Sequence, residues 1–457
     1  VEILKNSETV SLQGFLDERV AWREKAAYAM GDVGANVVWA TLTSFMTFFF
    51  TDVARIGAAA VGSIFLISRI LDAFSDVGMG VLVDRTNHRY GKARPWLLWV
   101  AIPYGIGAVL LFSVPSFGMT GKIIYAFLTY NLMSTVLYTI FAQPYHTLMA
   151  LMTRDQYQRS LLTVMRMFAG VCTAIVINNV TLPLVEHFGG GAAGWQKTMA
   201  VYGAIAAVVI ILVFLFTKER VRGVTAKKTP VKEGLKALAA NKYWLMILVV
   251  GVLVYILFAL PGVNIYYARY VLGNSMYLGS IMTCTFVPNL LCFAAIPLAL
   301  KIFSKRMLVF IGFLFYAIGT GVLLVNPAHI NYVLLGVFIK GLGFAPLAGT
   351  LYAFIADTIE YGEWKTGLRM EGLIMSAASF GQKVGTGIGL AIMGWLLAWG
   401  NYVGNAATQS QEALHVITFM FIQLPLCIYA AIIAIMYFYK LDREYPAIIE
   451  ELNQRRS

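Results

Sequence analysis

The chain has 457 residues, of which 59% are hydrophobic and 13% charged, and its formal net charge is +12. A soluble protein of this length carries about a quarter charged residues, so the composition excludes a water-soluble globular chain. The positive excess lies in short segments between apolar runs, not in a stripe on a polar domain; that excludes nucleic acid as a partner and reads as membrane orientation.

Apolar runs of roughly 18 or more residues, the length a bilayer core demands, recur from end to end. Lipid offers no partners to exposed backbone groups, so each run is expected to be an α-helix. Residues 1–26 are polar without an apolar core; they read as a cytoplasmic segment, and no cleavable signal peptide is expected. Helices are predicted over 27–50, 58–83, 95–115, 122–151, 160–185 and 197–217, an N-terminal six-helix bundle at 27–217. The segment 218–242, with Lys218, Arg220, Arg222, Lys227, Lys228, Lys232 and Lys236, reads as a basic cytoplasmic linker. Further helices are predicted over 243–271, 277–300, 307–326, 331–355, 372–399 and 414–439, a second bundle at 243–439, and 440–457 is a polar tail. The expected fold class is an all-α polytopic membrane protein with twelve transmembrane helices in two six-helix bundles.

Alternate loops concentrate positive charge: Arg85, Arg89, Lys92 and Arg94, then Arg154 and Arg159, the linker, Lys301, Lys305 and Arg306, and finally Lys365 and Arg369. The opposite loops hold little beyond Arg55, Lys122, Lys197 and Arg269. Both termini share the basic side, so both are expected in the cytoplasm. Cys172, Cys284, Cys292 and Cys427 all sit in apolar runs, without the spacing of a disulfide framework. A short repeat links the two halves. Phe49-Phe50-Thr51-Asp52-Val53 leads into Gly62-Ser63-Ile64, and Tyr266-Tyr267-Ala268-Arg269-Tyr270 leads into Gly279-Ser280-Ile281. Duplicated halves are how many secondary transporters build a midplane site; coincidence in an apolar alphabet is the alternative.

Ionisable residues inside the predicted helices carry the functional signal. Arg69, Asp72 and Asp76 follow i, i+3 and i+7 on the second helix, hence one face; Arg166 lies in the fifth and Lys383 in the eleventh. At about 2.5–3.5 kcal/mol each in mid-helix, five such groups facing lipid would cost roughly 12–17 kcal/mol. They must face one another or water. Two carboxylates one turn apart in low dielectric repel, so the Asp72–Asp76 pair either binds Na⁺ through oxygen ligands or carries a proton; a structural ion pair with Arg69 can cancel only one of them. Polar faces recur on other helices: Asp32, Asn36, Trp39 and Thr43 on the first, Thr139, Gln143 and His146 on the fourth, and Ser376, Ser379, Lys383 and Thr386 on the eleventh. Such stripes suit a sugar's hydroxyls, although small polar residues also bond between membrane helices; Asn36 and Lys383 read as pocket residues. His146 reads equally as a ligand contact, a pH-sensitive group or a packing histidine. Gly385-Thr386-Gly387-Ile388-Gly389 mimics a nucleotide loop but lies in an apolar helix, where close helix packing explains it. No nucleophile elbow, zinc motif or phosphate-binding loop is present in the sequence, so no enzyme activity and no cofactor are expected.

Three stretches resemble one family: Ile70-Leu71-Asp72-Ala73-Phe74-Ser75-Asp76, then Asp84-Arg85, then Tyr90-Gly91-Lys92-Ala93-Arg94-Pro95-Trp96. The second half agrees, with Ala356-Asp357-Thr358-Ile359-Glu360-Tyr361-Gly362-Glu363 leading to Arg369, Glu371 and Lys383. The chain resembles, over roughly residues 25 to 440, the glycoside–pentoside–hexuronide:cation symporter family of the major facilitator superfamily, whose best-known member is the melibiose permease. The resemblance implies a cation site at Asp72 and Asp76, helped by Ser75 and Thr139, with Na⁺ or H⁺ as coupling ion. It implies a sugar site that includes Arg166 and Lys383. The aspartates that grip galactosides in the melibiose permease correspond here to Asn36 and Ala142, and a pocket aromatic corresponds to His146.

The substrate-binding set is therefore expected to be Asn36, Trp39, Arg69, Asp72, Gln143, His146, Arg166, Ser379 and Lys383. With Arg69, Arg166 and Lys383 set against Asp72 and Asp76, local charge tilts positive, so an anionic sugar such as a uronide is expected to suit the pocket. Cytoplasmic latches are expected in charged loops at Asp84, Arg85 and Arg94 and at Asp357, Glu360, Glu363 and Arg369, pairing acids with arginines only in the outward-open state. The expected function is sugar:cation symport by alternating access, by a monomer in the lipid bilayer of a bacterial inner membrane. A carrier of lysolipid or another amphiphile, or a membrane sensor without turnover, are the competing readings.

Overall fold

The computed structural model describes residues 20–153, 155–221, 238–367 and 371–456. Twelve long helices occupy these residues in chain order. The first six are α1 (Trp22–Phe48, prolonged by a π-turn at Phe49–Val53), α2 (Ala58–Arg85), α3 (Arg94–Leu111), α4 (Met119–Asn131 and Tyr138–Met152, joined by a π-turn at Leu132–Leu137), α5 (Gln156–His187) and α6 (Gly191–Phe216). The next six are α7 (Lys242–Ala259, continuing through a 3₁₀ turn to a π-turn at Tyr267–Val271), α8 (Tyr277–Ala299), α9 (Lys305–Val325), α10 (Ile330–Thr366), α11 (Glu371–Trp399) and α12 (Gln411–Phe438). Eleven of them are long and apolar enough to cross a membrane; α11, with 29 residues, falls outside that count. The twelve-helix expectation is consistent with this order. The polar tail forms a further helix, α13 (Leu441–Arg456).

Polar residues at the starts of the apolar runs set the helix starts. Asp155, Asn241, Ser304 and Ser410 each accept a hydrogen bond from a backbone N–H two or three residues on, at 2.8–3.2 Å, which satisfies one of the orphan donors of a first turn. Helix α10 departs from expectation. It runs to Thr366 and stops at Gly367 with φ 70°, so Asp357, Glu360 and Glu363 stand on a helix and not in a loop. Nothing breaks the backbone hydrogen bonding where the apolar stretch ends, and a left-handed glycine halts the winding.

Of the described residues, 20–42 and 71–221 form one compact unit, and 43–70 and 238–456 form another. In the first, α3 packs along α6 at facing glycines: a Cβ on Gly105 would lie 2.6 Å from the Gly203 carbonyl oxygen. In the second, α9 meets α10 in the same way, where a Cβ on Gly312 would lie 2.5 Å from Gly343 O. Small residues allow such backbone approach where no hydrophobic force drives helices together. The glycine run of α11 has this role too, since Gly385 and Gly389 face α7 at Val252 O and Ile256 O, and Gly387 receives the Arg69 side-chain stem. Helix α13 docks through Tyr243 Oη donating to Glu444 (2.9 Å) and Trp364 Nε1 donating to Glu451 (2.6 Å).

Candidate functional site

Asp72, Ser75 and Asp76 stand within one turn of α2, and α4 brings Thr139 against them. The Thr139 hydroxyl donates to Asp76 Oδ1 at 3.1 Å and lies 3.4 Å from the Ser75 hydroxyl. Ser75 in turn donates to the Asp72 carbonyl at 3.0 Å. Asp72 is 2% exposed and Thr139 4%. The four residues expected at a cation site are therefore adjacent, and every donor they offer is oxygen, the chemistry of a hard cation or a proton. Among the described residues no group of three His, Cys, Asp or Glu is placed to hold a metal ion.

The same unit assembles the expected solute-contacting residues of α1, α4 and α5. Arg166 Nε lies 3.1 Å from Asp32 Oδ2, with side chains 21% and 19% exposed. Asn36, one turn along from Asp32, donates to its carbonyl at 2.8 Å, and Trp39 stacks on Tyr138 at 4.2 Å between ring centres. Gln143 is half-buried and His146 exposed on α4. The other unit holds the remainder: Arg69, 7% exposed, packs its stem against Gly387, one turn beyond the half-buried Lys383, and Ser379 is exposed one turn before it.

The Asp32–Arg166 pair bears on the charge expectation. Arg166, one of the three cations in that count, stands beside an acid, Asp32, that the count does not include. Spacing along α1 shows that Asp32 shares a face with Asn36. It does not show which neighbouring helix meets that face.

The latch expectation also changes. Among the described residues the Arg94 guanidinium forms no ion pair with an acid; Nη2 and Nε donate to the Phe214 carbonyl at 2.7 and 3.2 Å, at the carbonyl end of α6. Its backbone N–H, with those of Lys92 and Ala93, donates instead to the Glu219 carboxylate at 2.8–2.9 Å, an anion placed on the positive end of α3. Gly91, at φ 108°, clears that carboxylate, which an added Cβ would strike. Asp357 forms an ion pair with Lys305 at the start of α9, so a lysine takes the place expected of an arginine. Arg85 is exposed in the last turn of α2, where Asp84 also falls. Glu360 and Glu363 lie on α10. Arg369 and the Asp84 side chain lie outside the described residues.

Two buried charges escaped the sequence reading. Lys340, 8% exposed on α10, donates to the Phe421 carbonyl at 3.1 Å and sits 4.9 Å from the Tyr316 ring centre; it lay within a predicted helix, and a count of intramembrane charges includes it. Asp52, 3% exposed, accepts from Tyr270 (2.7 Å), Tyr402 (2.7 and 2.8 Å), Thr51 (2.7 Å) and the Asn405 backbone (3.0 Å), with Arg269 3.6 Å away. Burial, with Tyr266 and Asp52 beside it, pushes the Tyr402 phenol well above its ordinary range, so it stays a donor. The repeat held the signal for this hub, because Asp52 and Arg269 occupy equivalent places in its two copies. Each copy ends in a π-turn, and their side chains meet.

Long apolar helices, one carrying a buried and a half-buried acid backed by a hydroxyl from a neighbour, define a secondary transporter by class and not an enzyme. The family described as MFS/sugar transport protein matches residues 27–443, and the chain belongs to it, within the glycoside–pentoside–hexuronide:cation symporters of the major facilitator superfamily. It is 33% identical over 446 residues to the isoprimeverose transporter of Lactiplantibacillus pentosus, covering 96% of this chain and 92% of that one. It is 31% identical to a glucuronide carrier protein homologue of Escherichia coli, covering 96% and 97%. The solved structure of a bacterial homologue of the lysosomal transporter Spinster shares the fold, at TM-score 0.65 and 12% identity over 93% of this chain and 97% of that one.

Proposed function

We propose that this protein imports a glycoside, pentoside or hexuronide together with Na⁺ or H⁺ by alternating access. In this reading it works as a monomer in a bacterial inner membrane with both termini in the cytoplasm, and its two six-helix bundles span 27–217 and 243–439. The observation that carries the reading is the contact of Thr139 with Asp76, with Ser75 beside Thr139, one turn from the buried Asp72. Two such acids in low dielectric repel unless a cation visits them, and a site that needs a cation to be stable couples that cation to whatever its occupancy favours. Asp72, Asp76, Ser75 and Thr139 form the cation site. Asn36, Trp39, Gln143, His146, Arg166, Arg69, Ser379 and Lys383 contact the sugar, and Asp72 serves both. The Lys305–Asp357 pair is a latch, with Glu360 and Glu363 beside it on α10 and Arg369, Asp84, Arg85 and Arg94 as further gating positions. The names of the two relatives support a sugar as solute, one of them an anionic class; with Asp32 counted, charge alone no longer favours a uronide.

Uptake by the purified protein in proteoliposomes, screened across glycosides, pentosides and uronides with and without a Na⁺ or pH gradient, tests this. Accumulation of one sugar class above equilibrium, only with an imposed cation gradient, is the expected result. Solute binding without accumulation under either gradient would overturn it.

A further inference from the structure

Arg166 is pinned from several sides. Asp32 Oδ2 lies 3.1 Å from its Nε as an ion pair, and the ring of Tyr145 lies 5.6 Å from the guanidinium carbon. That ring is itself fixed, because Tyr145 Oη donates to the Tyr28 carbonyl at 2.6 Å and Tyr28 Oη donates back to the Tyr145 carbonyl at 3.3 Å. Gly170, one turn along α5 from Arg166, admits α1 so closely that a Cβ there would lie 3.1 Å from Asn36 Nδ2 and 3.8 Å from Asp32 Cβ. About a fifth of each charged side chain stays exposed, so a solute can reach both.

We infer that Asp32 is the specificity-determining partner of Arg166, making this part of the site select neutral sugars and reject uronates. The inference rests on the sugar-site reading above. A guanidinium alone is a fork of donors that matches a carboxylate. Beside Asp32 it becomes a couple of donor and acceptor with no net charge, and that couple complements a vicinal diol, which gives one hydrogen bond and takes another. A uronate placed there brings its carboxylate toward the Asp32 carboxylate in a medium of low dielectric, and like charges brought together are how a site discriminates against a wrong ligand. The sequence reading left Asp32 out of the site because the aspartate position of the galactoside carriers falls on Asn36.

The test uses full-length protein in proteoliposomes and matched pairs of solutes that differ only at C6, methyl glucosides with methyl glucuronides and methyl galactosides with methyl galacturonides. The wild type is expected to prefer the neutral member of whichever pair it transports. Asp32→Asn is expected to move the uronide-to-neutral ratio of apparent affinities by about tenfold toward the uronide, the scale of one unmasked charge. Asp32→Glu should restore the wild-type ratio, and Asp32→Asn with Arg166→Gln should lose the gain; a merely structural role moves uptake of both members alike. If Asp32→Asn does not fold, the wild type still decides, because a uronide methyl ester should then compete better than its free acid. An unchanged ratio in a folded Asp32→Asn protein, or a wild type that prefers the uronide, overturns the inference. Wild-type protein that accumulates no sugar under any cation gradient defeats the symport reading itself, which is a different result.

Discussion

Asp52→Asn is the most informative single substitution outside the cation site. The side chain keeps its shape, so packing is unchanged, but the carboxylate that four donors and Arg269 converge on becomes a neutral amide. Hydrogen bonds to a charged acceptor contribute about 1.5–3 kcal/mol against about 0.5–1.5 for neutral ones. Tyr270, Tyr402 and the Asn405 N–H keep Oδ1 to donate to, while Thr51 and the second branch of the Tyr402 bond now face an NH₂. Losing about 1 kcal/mol at each of Thr51, the second Tyr402 branch and Arg269 gives about 3 kcal/mol, or roughly a hundredfold in an equilibrium. The equilibrium concerned is the packing of residues 43–70 on the helices of the C-terminal half. A bimane on Ser63→Cys, in a background free of the four native cysteines, reports it, because Trp395 Nε1 lies 3.4 Å from Ser63 Oγ and tryptophan quenches bimane only at contact. Asp52→Asn should release the quenching, with Trp395→Phe as the unquenched reference. Fluorescence as quenched as in the parent, with an unchanged melting temperature, would refute the idea that this hub holds the segment in place.

Two further substitutions test the packing account. Gly91→Ala must leave φ 108° and push on the Glu219 carboxylate, so it should lower stability by about 2–4 kcal/mol through strain and loss of the cap. Thermal unfolding in detergent measures this, and Glu219→Gln should add little on top because both changes break one cap. Lys340→Met should leave uptake and coupling intact, since its partners are a carbonyl and aromatic faces that an apolar chain can replace. Loss of uphill uptake in that variant would instead put Lys340 on the ion path.

The helices were legible because a membrane leaves few alternatives, and their starts were legible where Ser, Asp or Asn precedes an apolar run. The three π-turns were not, because one extra residue in a helical turn has no compositional mark, although two of them fall on the repeated motif at Asp52 and Arg269. Hydropathy placed the end of α10 early, since it follows lipid contact and not backbone hydrogen bonding, and that put Asp357 in a loop. The cation-site neighbours of Asp76 came through the family resemblance and are adjacent. The Asp32–Arg166 pair and the Glu219 cap join residues more than a hundred positions apart, a relation that periodicity along one helix does not contain.

The most direct measurement compares two readouts of one protein, Asp72→Asn with Asp76→Asn, in sealed vesicles. Sugar exchange across the membrane without any gradient requires only that solute is bound and carried, whereas concentrative uptake requires the ion. The account predicts that concentrative uptake disappears in both Na⁺ and pH gradients while some solute binding or exchange survives. Concentrative uptake at the parent's level in that double variant would contradict it.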